Sequence, residues 1–151
     1  MNKDEQYMNM ALKEAMKAYK KGEVPVGAII VLNDKVIAKG YNLRESTNDI
    51  TKHAELIAIK RASKKFNDWR LENAVMYVTL FPCPMCASAI VQSRISKLVI
   101  GAPTLDFKNE TVVNKIFQGN NTSPMIIIES GIIEDKCKQL LSDFFKNKRE
   151  K

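Results

Sequence analysis

Tyr77-Val78-Thr79-Leu80-Phe81-Pro82-Cys83-Pro84-Met85-Cys86 carries the chain from a strand into a helix, with two thiols at the junction. The run from Ala74 to Leu80 is rich in Val and Tyr, which predicts a strand. Pro84 suits the first turn of a helix reaching about Arg94, because its missing N–H has no partner there anyway. Both cysteines therefore fall at a helix N-terminus, where backbone N–H groups favour negative sulfur. Upstream stands His53-Ala54-Glu55, which contains the single histidine of the chain. One imidazole nitrogen and two thiolates, from His53, Cys83 and Cys86, make three good zinc ligands, one short of a closed structural site. The open position suits a water, whose pKa zinc lowers from about 15.7 to about 7. Glu55 is then a carboxylate near the metal and not needed as a ligand, free to carry protons between that water and a substrate.

Each motif alone has an ordinary explanation. A C-x-x-C can be a redox pair, and a lone histidine a satisfied structural residue. Their combination, with Pro82 ahead of the first thiol and a strand before it, favours the metal. The spacing imposes a geometric condition. On a regular helix His53 and Glu55 would point about 200° apart. They converge if His53 lies at the helix start, where the backbone is not yet helical, with Asp49 and Thr51 as the expected caps.

The 151 residues are enough for one domain over 1–151 with a single proper core. The hydrophobic share of 45% and charged share of 27% are those of a soluble globular chain. No apolar run approaches the ~20 residues that span a membrane. Met1-Asn2-Lys3-Asp4-Glu5 is not followed by the apolar core of a signal peptide. With three cysteines, two of them assigned to metal, this predicts a reducing cytoplasm. Cys137, on the apolar side of a helix, reads as a small buried hydrophobe. The net charge of +7 suits a polyanionic partner such as RNA, although Lys-rich composition alone also produces it.

Residues 4–21 predict an amphipathic helix, its Met and Tyr residues packed in the core and Gly22 ending it. Val24–Leu32 and Lys35–Tyr41 predict strands joined by a hairpin at Asn33-Asp34. Asn42 leaves the second strand, either as a turn residue or to read a base edge or sugar hydroxyl. Residues 52–65 predict a helix buried against a sheet. Lys97–Ile100 and Met125–Glu129 read as further strands, and Ile132 to about Lys148 as a last helix with a basic tail. Residues 101–124 between them read as loop, with one short apolar turn at Val112-Val113 and Ile116-Phe117. The order predicts a three-layer α/β domain, a mixed sheet with helices on both faces.

The set His-x-Glu, then Pro-Cys-x-x-Cys, resembles the signature of the zinc nucleobase deaminases. The likeness reaches further. Glu23-Val24-Pro25-Val26-Gly27-Ala28, Gly40-Tyr41-Asn42, Trp69-Arg70-Leu71, Tyr77-Val78-Thr79-Leu80, Ser93-Arg94-Ile95 and Leu140-Leu141-Ser142-Asp143-Phe144-Phe145 are all similar to the bacterial tRNA-specific adenosine deaminases. That resemblance implies a cytidine-deaminase-like domain with about five strands and one zinc per subunit. It also implies a cytoplasmic homodimer that converts adenosine to inosine at the wobble position of a tRNA anticodon. Carried across, His53, Cys83 and Cys86 bind zinc, and Glu55 shuttles protons. Val26, Asn42, Ala54 and Pro82 surround the flipped base. Phe145 and Arg149 contact the anticodon stem-loop, with core packing as the other reading of Phe145. Three places depart from the family: Phe81 where Glu is usual, Ile50 and Lys52 where Pro and Ala are usual, and the glycine-poor run Pro103 to Glu110. The last motivates the alternative, a deaminase of a free nucleobase, nucleoside or nucleotide of the guanine, cytosine or cytidine type.

Overall fold

Asn33 and Asp34 both adopt positive φ, 51° and 62°, as a two-residue type I′ hairpin turn requires. They join β1 (Gly27–Leu32) to β2 (Lys35–Tyr41) in antiparallel register, Leu32 opposite Lys35 and Gly27 opposite Tyr41. The expected start of β1 at Val24 moves to Gly27, because Pro25 offers no N–H to a ladder and Val26 N–H turns back to the Val24 carbonyl. The computed structural model describes residues 1–104, 106–119 and 125–149, Arg149 by its backbone alone.

The remaining elements are α1 (Lys3–Lys20), α2 (Arg44–Thr47), α3 (Ala54–Phe66), β3 (Val75–Leu80), α4 (Pro84–Gln92), β4 (Lys97–Ala102), α5 (Phe107–Phe117), β5 (Ile127–Ser130) and α6 (Glu134–Arg149). The sheet runs β2-β1-β3-β4-β5. β1 is antiparallel to β2 and β3, while β3, β4 and β5 are mutually parallel. This is the expected mixed five-stranded sheet. Strand alternation sends successive side chains to opposite faces. Ala28, Ile30, Met76, Val78, Leu98 and Ile100 meet α3, α4 and α5 on one face. Ile29, Val31, Tyr77 and Val99 meet α1 and α6 on the other.

Gly22 terminates α1 at φ 75°. Its N–H bonds to the Tyr19 carbonyl and that of Glu23 to the Ala18 carbonyl, both at 3.0 Å. These are the two bonds of a Schellman end. Gly40 lets α3 approach the sheet: a Cβ there would strike the Ala54 carbonyl oxygen and lie 2.9 Å from Ala58 N. Cys137 is buried in the second core, as expected, and burial pushes its thiol up to about 12.

Residues 107–117 form a helix where the sequence reading expected loop. Asp106 caps it, its carboxylate accepting from Lys108 N at 2.9 Å. Val113 and Phe117, four residues apart, bury one narrow face. The short α2 was also unforeseen. Arg94 at φ 70° ends α4 earlier than expected, and Ile133 at φ 43° delays α6 to Glu134. Asp49 and Thr51 do not cap α3. They form their own turn, in which Asp49 Oδ1 accepts from Thr51 N at 2.9 Å.

Candidate active site

Two helices begin at the same place. His53 is the N-cap of α3, with extended backbone at φ −85°, ψ 150°. Cys83 is the N-cap of α4, at φ −74°, ψ 168°, followed by Pro84. Neither side chain bonds to its own helix, so both are free to face each other. The extended backbone at His53 resolves the 200° problem, since the imidazole departs before the helix begins and Glu55 after it.

His53 Nδ1 lies 3.7 Å from Cys83 Sγ and 3.5 Å from Cys86 Sγ, and the three donor atoms all fall within 4.8 Å of one another. Zinc bonds of about 2.3 Å to sulfur and 2.0–2.1 Å to nitrogen, arranged tetrahedrally, set donors roughly 3.5–3.8 Å apart. The donor set fits zinc in chemistry and in spacing. The two thiols are interdependent. The Cys86 S–H holds Cys83 down to about 4, and the Cys83 sulfur with burial drives Cys86 upward. Hydrogen bonding to Cys83 raises the imidazole of His53. The first thiolate forms readily at the positive ends of two helices, and a cation is what would release the remaining protons.

Glu55 is 3% exposed. Burial pushes its carboxyl up to about 7, against its own backbone N–H and the nearby imidazole. A buried carboxyl poised near neutrality is suited to both taking and giving a proton.

These groups lie at a cavity of about 190 Å³ whose walls include Val24, Val26, Asn42, Leu80 and Phe81. The volume is below the ~300–1,000 Å³ of pockets that enclose drug-sized ligands, so a small planar group enters and a larger molecule stays outside. Val26 and Asn42 both line this cavity. Ala54 and Pro82 are buried behind the wall and not on it. The Ala54 N–H donates to Asn42 Oδ1 at 2.8 Å. That bond fixes the Asn42 amide with its oxygen engaged, leaving Nδ2 as a donor for the cavity. Asn42 is both a local anchor and a cavity residue. Phe145 is half-buried against the second core and absent from the cavity wall. The side chain of Arg149 lies outside the described residues.

Four charged lining residues escaped the sequence reading, Glu23, Arg44, Glu45 and Lys148. Glu23 is 1% exposed, and its carboxylate accepts from Glu45 N at 2.9 Å, Ser46 N at 2.6 Å and the Ser46 hydroxyl. It thereby holds α2 at the cavity mouth. Its quoted block already contained it, but its partners lie about two dozen positions away, beyond the reach of local pattern.

Residues 1–102 match the family model described as the cytidine and deoxycytidylate deaminase zinc-binding region. The tRNA-specific adenosine deaminase of Bacillus subtilis (strain 168) is 46% identical, the match covering 100% of this chain and 94% of that protein. A solved tRNA:A34 deaminase, studied for A-to-I editing at the wobble position, superposes with a TM-score of 0.80 at 34% identity over 89% of this chain and 98% of its own. A guanine deaminase from Nitrosomonas europaea reaches a TM-score of 0.76 at 18% identity, covering 93% of this chain and 83% of its own, a likeness of fold alone. The chain belongs to the zinc-binding cytidine and deoxycytidylate deaminase family, in its tRNA-specific adenosine deaminase branch.

Proposed function

We propose that this protein is a zinc-dependent hydrolase that converts adenosine to inosine at the wobble position of a tRNA anticodon. The observation that carries the reading is a complete His/Cys/Cys set beside a buried Glu, in a chain 46% identical over its full length to a tRNA-specific adenosine deaminase. The whole of 1–151 acts as one catalytic domain, with one zinc held by His53, Cys83 and Cys86. Bound zinc supplies Lewis acidity that makes hydroxide available near neutral pH.

The chain's own groups do the rest. Glu55 takes a proton from the attacking water and gives it to N1 of the adenine. It then carries the remaining proton of that oxygen, now bonded to C6, to the exocyclic nitrogen, so that the C6–N bond breaks, a carbonyl forms at C6 and ammonia leaves. Asn42 Nδ2 donates to an acceptor on the substrate, while Val26, Leu80 and Phe81 enclose the ring. The small cavity admits a single base, which must be turned out of its stack. The remaining nucleotides lie at the mouth, beside Arg44 and Lys148. Phe145 and Arg149 belong to the same RNA-facing end.

The protein works as a homodimer in the cytoplasm, the assignment following from the family resemblance. Exposed apolar side chains at Phe107, Val112, Met125 and Ile127 are consistent with a covered surface. Among the described residues no helix is long and apolar enough to cross a membrane. The test is purified protein with an anticodon stem-loop carrying wobble adenosine, beside free adenosine, cytidine and guanine. Inosine in the RNA, with weak turnover of the free compounds, is expected. Turnover of a free base or nucleoside with none on RNA would replace the reading by the small-molecule alternative.

A further inference from the structure

Helix α2 stands on a single carboxylate. None of its four residues, Arg44 to Thr47, is buried, so no apolar contact presses it onto the domain. One isolated turn is also too short to hold itself together in water. Glu23 is the anchor. Its carboxylate accepts from Glu45 N at 2.9 Å, from Ser46 N at 2.6 Å and from the Ser46 hydroxyl.

That anchor is an unusual choice for stability alone. Glu23 is 1% exposed, and burial disfavours its charge. An apolar side chain would pack at that depth at least as well, but it would leave the two backbone donors of α2 unmatched. What α2 carries gives the anion a purpose. Arg44 and Glu45 both line the catalytic cavity, paired with each other at 3.3 Å and largely exposed.

The neighbouring part of the wall is held separately. Asn42 N donates to the Val26 carbonyl at 3.2 Å and Leu43 N to the Lys52 carbonyl at 2.9 Å. The Asn42 side chain is held by Ala54 N, and the metal donors sit on α3 and α4. The inner wall and the metal site are therefore built without Glu23, and the rim at α2 depends on it.

We propose that Glu23 is a positioning residue for substrate capture, one that seats α2 as the rim across which the RNA strand passes. It thereby favours a polynucleotide over a free nucleoside, acting through α2 and not on the reacting atoms. The proposal rests on the RNA-deaminase reading and deepens it. The interior, with Asn42 and Glu55, receives the base, and the rim receives the chain that carries the base.

The experiment compares zinc-loaded wild type, Glu23→Gln, Ser46→Ala and the double variant on the stem-loop, well below the Tm of each. Free adenosine serves as a competitor that enters the cavity without crossing the rim. Glu23→Gln keeps the volume and turns an amide N–H toward the donors of α2. It should raise KM for the RNA roughly tenfold, the scale of a lost hydrogen bond to a charged group. Its kcat and the inhibition constant of adenosine should each stay within about twofold. Ser46→Ala removes one of the donors and should raise KM about threefold, a part of the same effect. The double variant should be no worse than Glu23→Gln, because both changes act through one contact.

Penalties that multiply in the double variant overturn the proposal, since Glu23 would then act elsewhere than on α2. So does an inhibition constant that rises as much as KM, which marks a general collapse of the cavity. An unchanged KM in Glu23→Gln overturns it as well. Should Glu23→Gln fail to fold, the exposed Ser46→Ala decides alone, and an unchanged KM there is fatal to the idea. Absence of inosine from the wild-type reaction would overturn the deaminase reading itself, whereas inosine with unaltered KM in the variants removes only the positioning role.

Discussion

The Phe81 ring meets the Phe117 ring edge-on, centroids 6.5 Å apart at 74°. Phe81 lines the catalytic cavity, and Phe117 is the buried last residue of α5. The cavity wall and the helix that follows β4 thus meet in one contact. Phe117→Ala should cost about 3–5 kcal/mol of stability, the usual range for an emptied aromatic core site, measured by urea unfolding. Phe81→Glu should lower stability because it sets a carboxylate against a buried ring. A variant as stable as wild type would show that the two rings do not depend on each other.

Cys86→Ala removes one of three donors and should abolish most of the zinc, normally about one ion per chain for a single three-ligand site. Elemental analysis of the dialysed protein decides it. Zinc content equal to wild type would place the ion elsewhere.

Glu55→Gln leaves every donor in place. Zinc should be retained while kcat falls by about 10² or more, the scale of a lost general acid–base group. Single-turnover rates on the stem-loop check this, and an unchanged rate would remove Glu55 from proton transfer.

Glu23 gives the fold an acid-sensitive joint. Burial pushes its carboxyl up, but the Ser46 hydroxyl, the N–H groups of Glu45 and Ser46 and the charge of Arg44 outweigh it and leave it below its ordinary 4.5. The folded state binds that proton less readily than the unfolded chain. The carboxylate therefore stabilises the fold above about pH 4.5, and the contribution disappears as pH falls through the depressed value. The Tm gap between wild type and Glu23→Gln should be widest near neutrality and close in acid. A gap independent of pH would deny the carboxylate this role.

Much of this molecule is legible because its punctuation is local. Asn33-Asp34 and Gly22 announce their turns within a few residues, and Pro84 announces its helix. His53, Cys83 and Cys86 declare their chemistry by residue type. What escaped depends on contacts across the chain or on a weak stripe. Helix α5 buries little beyond Val113 and Phe117, so its periodicity is thin among polar neighbours. The hold of Glu23 on α2 spans more than twenty positions, and the contacts of Tyr19 with Phe144 and Asn147 form only when α6 returns to α1.

Asn42 bonds through its carbonyl oxygen to the residue between His53 and Glu55, and presents its remaining amide to the cavity. Under the proposed function, recognition and metal retention are consequently not separable traits in this protein. Selection for a new base preference that alters Asn42 also loosens the start of the helix that supplies a metal donor. Such variants would lose holoenzyme as they gain new specificity. The evolutionary paths open to this chain run instead through walls such as Phe81, which line the cavity and leave the donors alone.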